Sequence, residues 1–288
     1  ATKVAPEQTY RPSPAPDRII LTWSGDPATT QAVTWRTDTS IEKGLAEIAP
    51  ATDGPQFPKE AKQLPTATEL LKSDINEAHY HSVAFTGLQP DTVYAYRVGD
   101  GLNWSEWNQF RTASAGPAPL EFIYVGDAQN DIFSMWSRVI REALLSAPRT
   151  RLIIHAGDLV NVGSADALWG EWHRAAGWLN QSVSSFPTPG NHEYPKRVFT
   201  AHWRKQFTLP ENGVPGLEES NYYIDVQGVR MISINSNEKH REQAAWLDNL
   251  LGASSSRWVL ITFHHPIFST GKGRDNKDLR DLFQPIFD

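Results

Sequence analysis

Hydrophobic and polar positions change rhythm once along the chain. In the first part the apolar residues come in short runs. Ile19-Ile20-Leu21-Thr22-Trp23 opens a strand-like stretch, and Gln31-Ala32-Val33-Thr34-Trp35-Arg36 alternates as a half-buried strand does. Similar runs continue to about residue 113, punctuated by turn sequences such as Asp53-Gly54-Pro55 and Asp100-Gly101, and this rhythm predicts a β-sandwich over 17–113. Ahead of it, residues 1–16 carry Pro6, Pro12, Pro14 and Pro16 and read as an extended leader. The small, proline-rich segment Ala113 to Pro119 reads as a linker, with 114–119 as its body. Beyond it, strands at Glu121 to Val125 and Arg151 to His155 alternate with helical spacing at Phe133 to Leu145 and Ala165 to Leu179. Further strands are predicted at 221–226, 229–234 and 258–263, with a helix at 240–251. This alternation predicts an α/β domain over 120–288.

Within the first part, Leu88-Gln89-Pro90-Asp91-Thr92-Val93-Tyr94-Ala95-Tyr96-Arg97-Val98 resembles the corner of a fibronectin type III domain. There a Leu closes the core, and a Tyr opens the next strand with its hydroxyl bonded back to the turn. Composition narrows the setting. Hydrophobic residues make up 40% of 288, enough for packed cores, and the length suits two domains. No apolar run approaches the roughly 18–20 residues that span a bilayer, so no membrane partner is expected. A formal net charge of −6 argues against indiscriminate nucleic-acid binding. The absence of cysteine removes disulfides, thiolate ligands and a Cys nucleophile. The opening Ala1-Thr2-Lys3-Val4 would suit a mature end left after signal cleavage, which gives a secreted or periplasmic location as the expectation.

Candidate chemistry gathers after the strands of the second part. Phe122-Ile123-Tyr124-Val125 runs into Gly126-Asp127-Ala128-Gln129. Leu152-Ile153-Ile154-His155-Ala156 runs into Gly157-Asp158-Leu159-Val160-Asn161. Phe186-Pro187-Thr188-Pro189 leads to Gly190-Asn191-His192-Glu193, and Trp258 to Phe263 ends in His264-His265-Pro266. Ligands of α/β sheets bind beyond the carboxyl ends of strands. Asp, Asn and His are oxygen and imidazole donors suited to divalent metals. Each residue alone has an ordinary reading, as a turn residue, a helix cap or a core histidine. Together and in this order they form a pattern that independent turns seldom produce.

The order G-D-x, G-D-x-x, G-N-H-E and a β-run ending in His resembles the calcineurin-like metallophosphoesterases. The preceding β-sandwich narrows the resemblance to the purple acid phosphatase type, whose second domain has two packed β-sheets flanked by helices. The resemblance covers nearly the whole chain and four of the family's five motif blocks. It implies a binuclear centre of Fe, Zn or Mn ions acting on a phosphate-ester small molecule. Asp127 would bind the first ion, Asp158 would bridge both, and Asn191 and His264 would bind the second. His192 would face the phosphate, stabilising the transition state or protonating the leaving oxygen, while a metal-held hydroxide attacks phosphorus. Asn191 and His265 are further candidates for substrate contact, although strand alternation would point His265 away.

Two departures from the family pattern stand out. Where purple acid phosphatases place a tyrosinate, this chain has Asn161, so no purple colour is expected. Where related enzymes place a His two residues after the first Asp, it has Gln129, a neutral carbonyl donor. Gln129 and Asn161 are thus the remaining candidates for the first ion. The family's last block, G-H-x-H, has no counterpart among the 288 residues, and neither have the strands that follow it in the family. The expectation is an unpaired sheet edge, weak metal binding and little hydrolysis from these residues alone. Three alternatives compete with a phosphomonoesterase: a phosphodiesterase, a nucleotide hydrolase on the same scaffold, and a non-catalytic binding protein with a vestigial metal site. Trp104, Trp107, Trp169, Trp172 and Trp178 could stack on a base, although core or interface packing is their more ordinary use.

Overall fold

The computed structural model describes residues 4–288. One helical turn, α1 (Pro6–Thr9), lies within the segment expected to be extended. Eight strands follow: β1 (Asp17–Thr22), β2 (Gln31–Thr37), β3 (Leu45–Pro50), β4 (Lys62–Pro65), β5 (Ala67–Lys72), β6 (Glu77–Phe85), β7 (Val93–Gly99) and β8 (Asn108–Arg111). They form two antiparallel layers, β5-β6-β2-β1 and β4-β3-β7-β8. Leu21, Val33, Trp35, Phe85, Tyr96 and Phe110 fill the space between the layers. At the predicted corner the Gln89 N–H donates to the Tyr94 hydroxyl at 2.9 Å. The tyrosine therefore acts as acceptor and holds the turn before β7.

The second part begins with β9 (Phe122–Val125), a π-helical turn at Ile132–Trp136 and α2 (Ser137–Ser146). Next come β10 (Leu152–Ala156), α3 (Asp166–Asn180), β11 (Ser184–Thr188), the short α4 (Trp203–Gln206), β12 (Tyr222–Val226), β13 (Val229–Ser233), α5 (His240–Gly252), β14 (Trp258–Thr262) and α6 (Lys277–Phe287). β9, β10 and β11 are parallel. β14 runs parallel to β13 in a separate three-stranded sheet, β12-β13-β14. Four of the five residues of β10 are buried, as expected for a parallel strand covered on both faces. α3 presents Trp169, Trp172, Ala176 and Leu179 at helical spacing to the core beside it. Tyr10 packs on α3 where Gly170 leaves room: a Cβ there would sit 2.3 Å from the tyrosine ring.

One sheet crosses from the first part into the second. β1 joins β11 in parallel at Thr22↔Ser185, giving the seven-stranded order β5-β6-β2-β1-β11-β10-β9. Ile20 and Trp23 accordingly share a core with Ile153, Trp169 and Phe186. The apolar pattern did not mark β11 as a strand, and Pro187 obscured it. β1 touches β11 only at Ser185, so Pro187, two residues on, lies where β10 is the one strand alongside. The junction is also held by buried charge. Arg18 on β1 donates from both terminal nitrogens to Asp166 at the start of α3, at 2.7 and 2.9 Å.

Candidate metal centre

All four motif-bearing strands end on one side of the molecule, because β9, β10 and β11 run together and β14 brings its own end alongside. The turns beyond them are tight. Asp127 and Asp158 both adopt left-handed backbone, at φ 52° and 53°, a costly conformation for a residue with a side chain. Gly157 lies at φ 88°, and a Cβ there would come within 2.8 Å of the Gly190 backbone and 2.7 Å of His264 Nδ1. A Cβ on Gly190 would lie 2.1 Å from Asp158 Oδ1. These two glycines let the strand-end loops close on one another.

Asp127, Asp158 and His264 each offer a donor atom within 4.8 Å of the others. Asp158 is the buried centre of this group. Its Oδ2 lies 3.1 Å from His264 Nε2, 3.3 Å from Gln129 Nε2 and 3.8 Å from His192 Nε2. Its Oδ1 accepts the His192 backbone N–H at 2.9 Å. Asn191 Oδ1 is 3.2 Å from His264 Nε2, which brings the fourth motif into the same cluster. Burial pushes the Asp158 carboxyl up, but the bond to His264 and the His192 N–H outweigh it, so the net direction is down. For His264, burial is overcome by the bond and charge of Asp158, and the imidazole is raised to about 9. The Nδ1 of His264 donates to the Ala156 carbonyl at 2.9 Å, which leaves Nε2 aimed at the cluster.

His192 stands half-buried at the rim. Its Nδ1 donates to the Asn161 carbonyl at 2.5 Å. Asn161 thus enters the site through its backbone. Its exposed side chain makes no hydrogen bond among the described residues. Gln129 does reach the cluster, and its Oε1 is buried with no partner. His265 turns away: its Nδ1 meets Ser236 Oγ at 2.8 Å and its ring lines a separate cavity of about 520 Å³ with His240 and Lys277. His155 is also outside the cluster, buried in the core beside Trp136 and Trp172, and burial lowers it to about 3. Trp169 and Trp172 are core residues. Trp104 and Trp107 stack on Arg97 in the sandwich, and Trp178 on Arg141. None of the five tryptophans lines the donor cluster.

Sequence reading missed two supports. Glu193 is fully buried and its carboxylate accepts four backbone N–H groups, from Asp158, Leu159, Val160 and Gly190. Burial pushes this carboxyl up to about 7 against the pull of those donors. Asn237 donates from Nδ2 toward the carbonyls of Pro189 and Gly190 at 3.3 and 3.2 Å. Glu193 was in view as the last letter of G-N-H-E. Asn237 lies in a turn with no such signal.

The donor set fits a metal. Two carboxylates and a ring nitrogen with its other nitrogen already bonded converge, with no Lys or Arg paired to them among the described residues, and Gln129 beside them has a buried amide oxygen without a partner. Comparison with known proteins agrees with this reading. The calcineurin-like phosphoesterase family matches residues 120–288, and the N-terminal domain of purple acid phosphatases matches 16–112. An uncharacterized protein of Mycobacterium tuberculosis is 25% identical, over 94% of this chain and 58% of its own length. Purple acid phosphatase 15 of Arabidopsis thaliana is 25% identical, over 66% of this chain and 42% of its own. Among solved structures, a purple acid phosphatase from yellow lupin (Lupinus luteus) seeds superposes with a TM-score of 0.74 at 16% identity, over 95% of this chain and 57% of its own. The chain thus spans about half the length of the curated relatives it matches. With these two matches following one another along residues 16–112 and 120–288, and the motif residues gathered at one centre, the chain belongs to the calcineurin-like phosphoesterase family, in its purple acid phosphatase arrangement.

Proposed function

We propose that this protein hydrolyses phosphate esters, with small-molecule monoesters as the substrate class, at two metal ions seated among the ends of β9, β10, β11 and β14. The observation that carries the reading is the convergence of Asp127, Asp158 and His264 within 4.8 Å, with Asn191 beside His264. In this reading Asp127 and Gln129 serve one ion, Asn191 and His264 the other, and Asp158 both. Divalent ions at such a centre lower the pKa of a water and neutralise charge on the phosphoryl oxygens. Fe, Zn and Mn all accept this mixture of carboxylate, amide and imidazole donors.

The protein's own part is to place and exclude. The turns at Gly157 and Gly190 hold the donors close, and the buried Glu193 backs them with fixed hydrogen bonds. His192 is set for proton transfer: the Asn161 carbonyl fixes its Nδ1, and Nε2 faces the cluster from a half-exposed position. A protonated Nε2 donates to the ester oxygen as it leaves.

The test is a Mn²⁺ and Zn²⁺ titration together with hydrolysis of a chromogenic phosphate monoester and diester, for the protein and its Asp158→Asn variant. Metal binding is expected, with monoester turnover when the family's G-H-x-H donors are also present, and both should be lost in the variant. Turnover of the diester alone would move the substrate class. Metal-free protein that binds neither ion would refute the centre.

A further inference from the structure

We propose that Glu193 is the positioning residue of this centre: its carboxylate spans two loops and sets the distance between their donors. The proposal deepens the metal-site reading above and rests on it. One loop carries Asp158 after β10, and the other carries Asn191 and His192 after β11. β10 and β11 are paired up to Ala156↔Thr188, and the two loops part company from the ladder there. Beyond that point no strand hydrogen bond holds them in register.

Glu193 Oε2 accepts from Asp158 N–H at 2.9 Å and from Gly190 N–H at 2.7 Å. A single oxygen therefore joins the two loops. Oε1 continues along the first loop, accepting from Leu159 at 2.9 Å and Val160 at 3.4 Å. The side chain is fully buried, so water cannot replace these bonds cheaply. The left-handed turn at Asp158 presents its N–H toward Glu193 while its carboxylate faces the cluster. The strained turn and the carboxylate behind it form one device. Backbone bonds fix Glu193 in turn: its carbonyl accepts Thr200 N–H at 2.9 Å, and Gly163 N–H holds the His192 carbonyl at 2.8 Å.

Glu193→Gln keeps the length but cannot keep the clamp. Each carboxylate oxygen faces two N–H donors, and an amide NH₂ in either place would meet donors with donors. Glu193→Asp keeps the charge and shortens the reach, so it can serve one loop and not both. Outer partners that orient ligands are worth roughly 10–100-fold in metal affinity.

The experiment combines amide hydrogen exchange with Mn²⁺ titration on the wild type, Glu193→Gln and Glu193→Asp. Slow exchange at Asp158, Leu159 and Gly190 is expected in the metal-free wild type. Both variants should show faster exchange at these amides and at least ~10-fold weaker Mn²⁺ affinity, with the amides of β10 and β13 still protected. Rescue by Asp would overturn the proposal in favour of charge alone. Wild-type affinity in folded Glu193→Gln would overturn it outright. Should neither variant fold, exchange in the wild type decides: unprotected amides at Asp158 and Gly190 mean no clamp. A wild type with protected amides and no Mn²⁺ binding would defeat the metal-site reading and leave the clamp a purely structural one, which also ends its positioning role.

Discussion

Replacing Asp166 with Ala should unfold the junction between the sandwich and α3 well before it disturbs the donor cluster. Asp166 and Arg18 have side chains only 3% exposed, and the pair is bidentate. Arg36 approaches the same carboxylate at 3.5 Å, and His202 Nε2 at 3.4 Å. Arg36 would keep a partner after the change, because Asp17 binds it through both oxygens at 2.8 and 2.6 Å. Arg18 would keep two neutral acceptors, the Tyr80 hydroxyl at 2.9 Å and the backbone carbonyl of residue 166 at 3.3 Å, and no carboxylate. The variant therefore leaves one guanidinium charged, buried and unpaired, a loss of about 3–5 kcal/mol. At roughly 2.1 cal/mol/K per residue, the 288 residues carry an unfolding entropy of about 0.6 kcal/mol/K, so the expected drop in melting temperature is about 5–8 °C. Acid should close the gap between variant and wild type. Burial pushes the Asp166 carboxyl up, but the His202 imidazole at 3.4 Å and the charges and bonds of Arg18, with the charge of Arg36, hold it well below the usual carboxylate range. A depressed folded pKa gives stability that is complete above the unfolded value near 3.9 and disappears as pH falls toward the folded one. The difference measured at pH 7 should therefore persist to about pH 4 and shrink below it. Calorimetric melting from pH 7 to pH 3 checks both parts. A loss under ~1 kcal/mol at pH 7 would show that Arg18 finds water or another anion, and that the pair contributes no more than a surface bridge.

Three further outcomes follow from the same structure. Asp158→Asn should cost the most metal, while His192→Ala should lower turnover by about 100-fold or more with metal content unchanged; equal metal loss by elemental analysis would mean that His192 is a ligand. His155 and His173 are held neutral by burial, each lowered to about 3, so unfolding takes up their protons as pH falls below the unfolded value near 6.5. Urea unfolding should show about 3 kcal/mol less stability at pH 5 than at pH 6.5 from these two groups, and His155→Leu with His173→Gln should flatten that slope. Tyr94→Phe removes the acceptor of the Gln89 N–H and should cost about 1 kcal/mol in chemical denaturation, with no change in metal affinity.

Periodicity alone carried the architecture a long way. Strand alternation marked β1 and β2, and the change of rhythm after Pro119 separated sandwich from α/β segment, because side-chain burial repeats every two residues in one element and every 3.6 in the other. The order of Gly-Asp, Gly-Asp, Gly-Asn-His and terminal His marked the donors before any coordinates, since those residue types sit after strands whose ends must face the same way. What the one-dimensional pattern could not carry was distance between loops. Gln129 bonds to Asp158 through its side chain while Asn161 bonds to His192 through its carbonyl, and nothing in their spacing separates the two. His264 and His265 are neighbours, yet one joins the cluster and the other bonds to Ser236. Glu193 appeared as a motif letter, and only the fold shows that its carboxylate meets backbone N–H groups more than thirty residues away in the chain. The junction is the plainest case. Arg18 and Asp166 lie 148 residues apart, and β1 pairs with a strand that contains a proline. Hydrophobic pattern is local, whereas hydrogen bonds and ion pairs depend on which groups the packing of whole elements brings within three ångströms. So the sequence by itself determined the element types and the donor inventory, and the tertiary structure decided which donors meet, which way each side chain turns, and what holds them there.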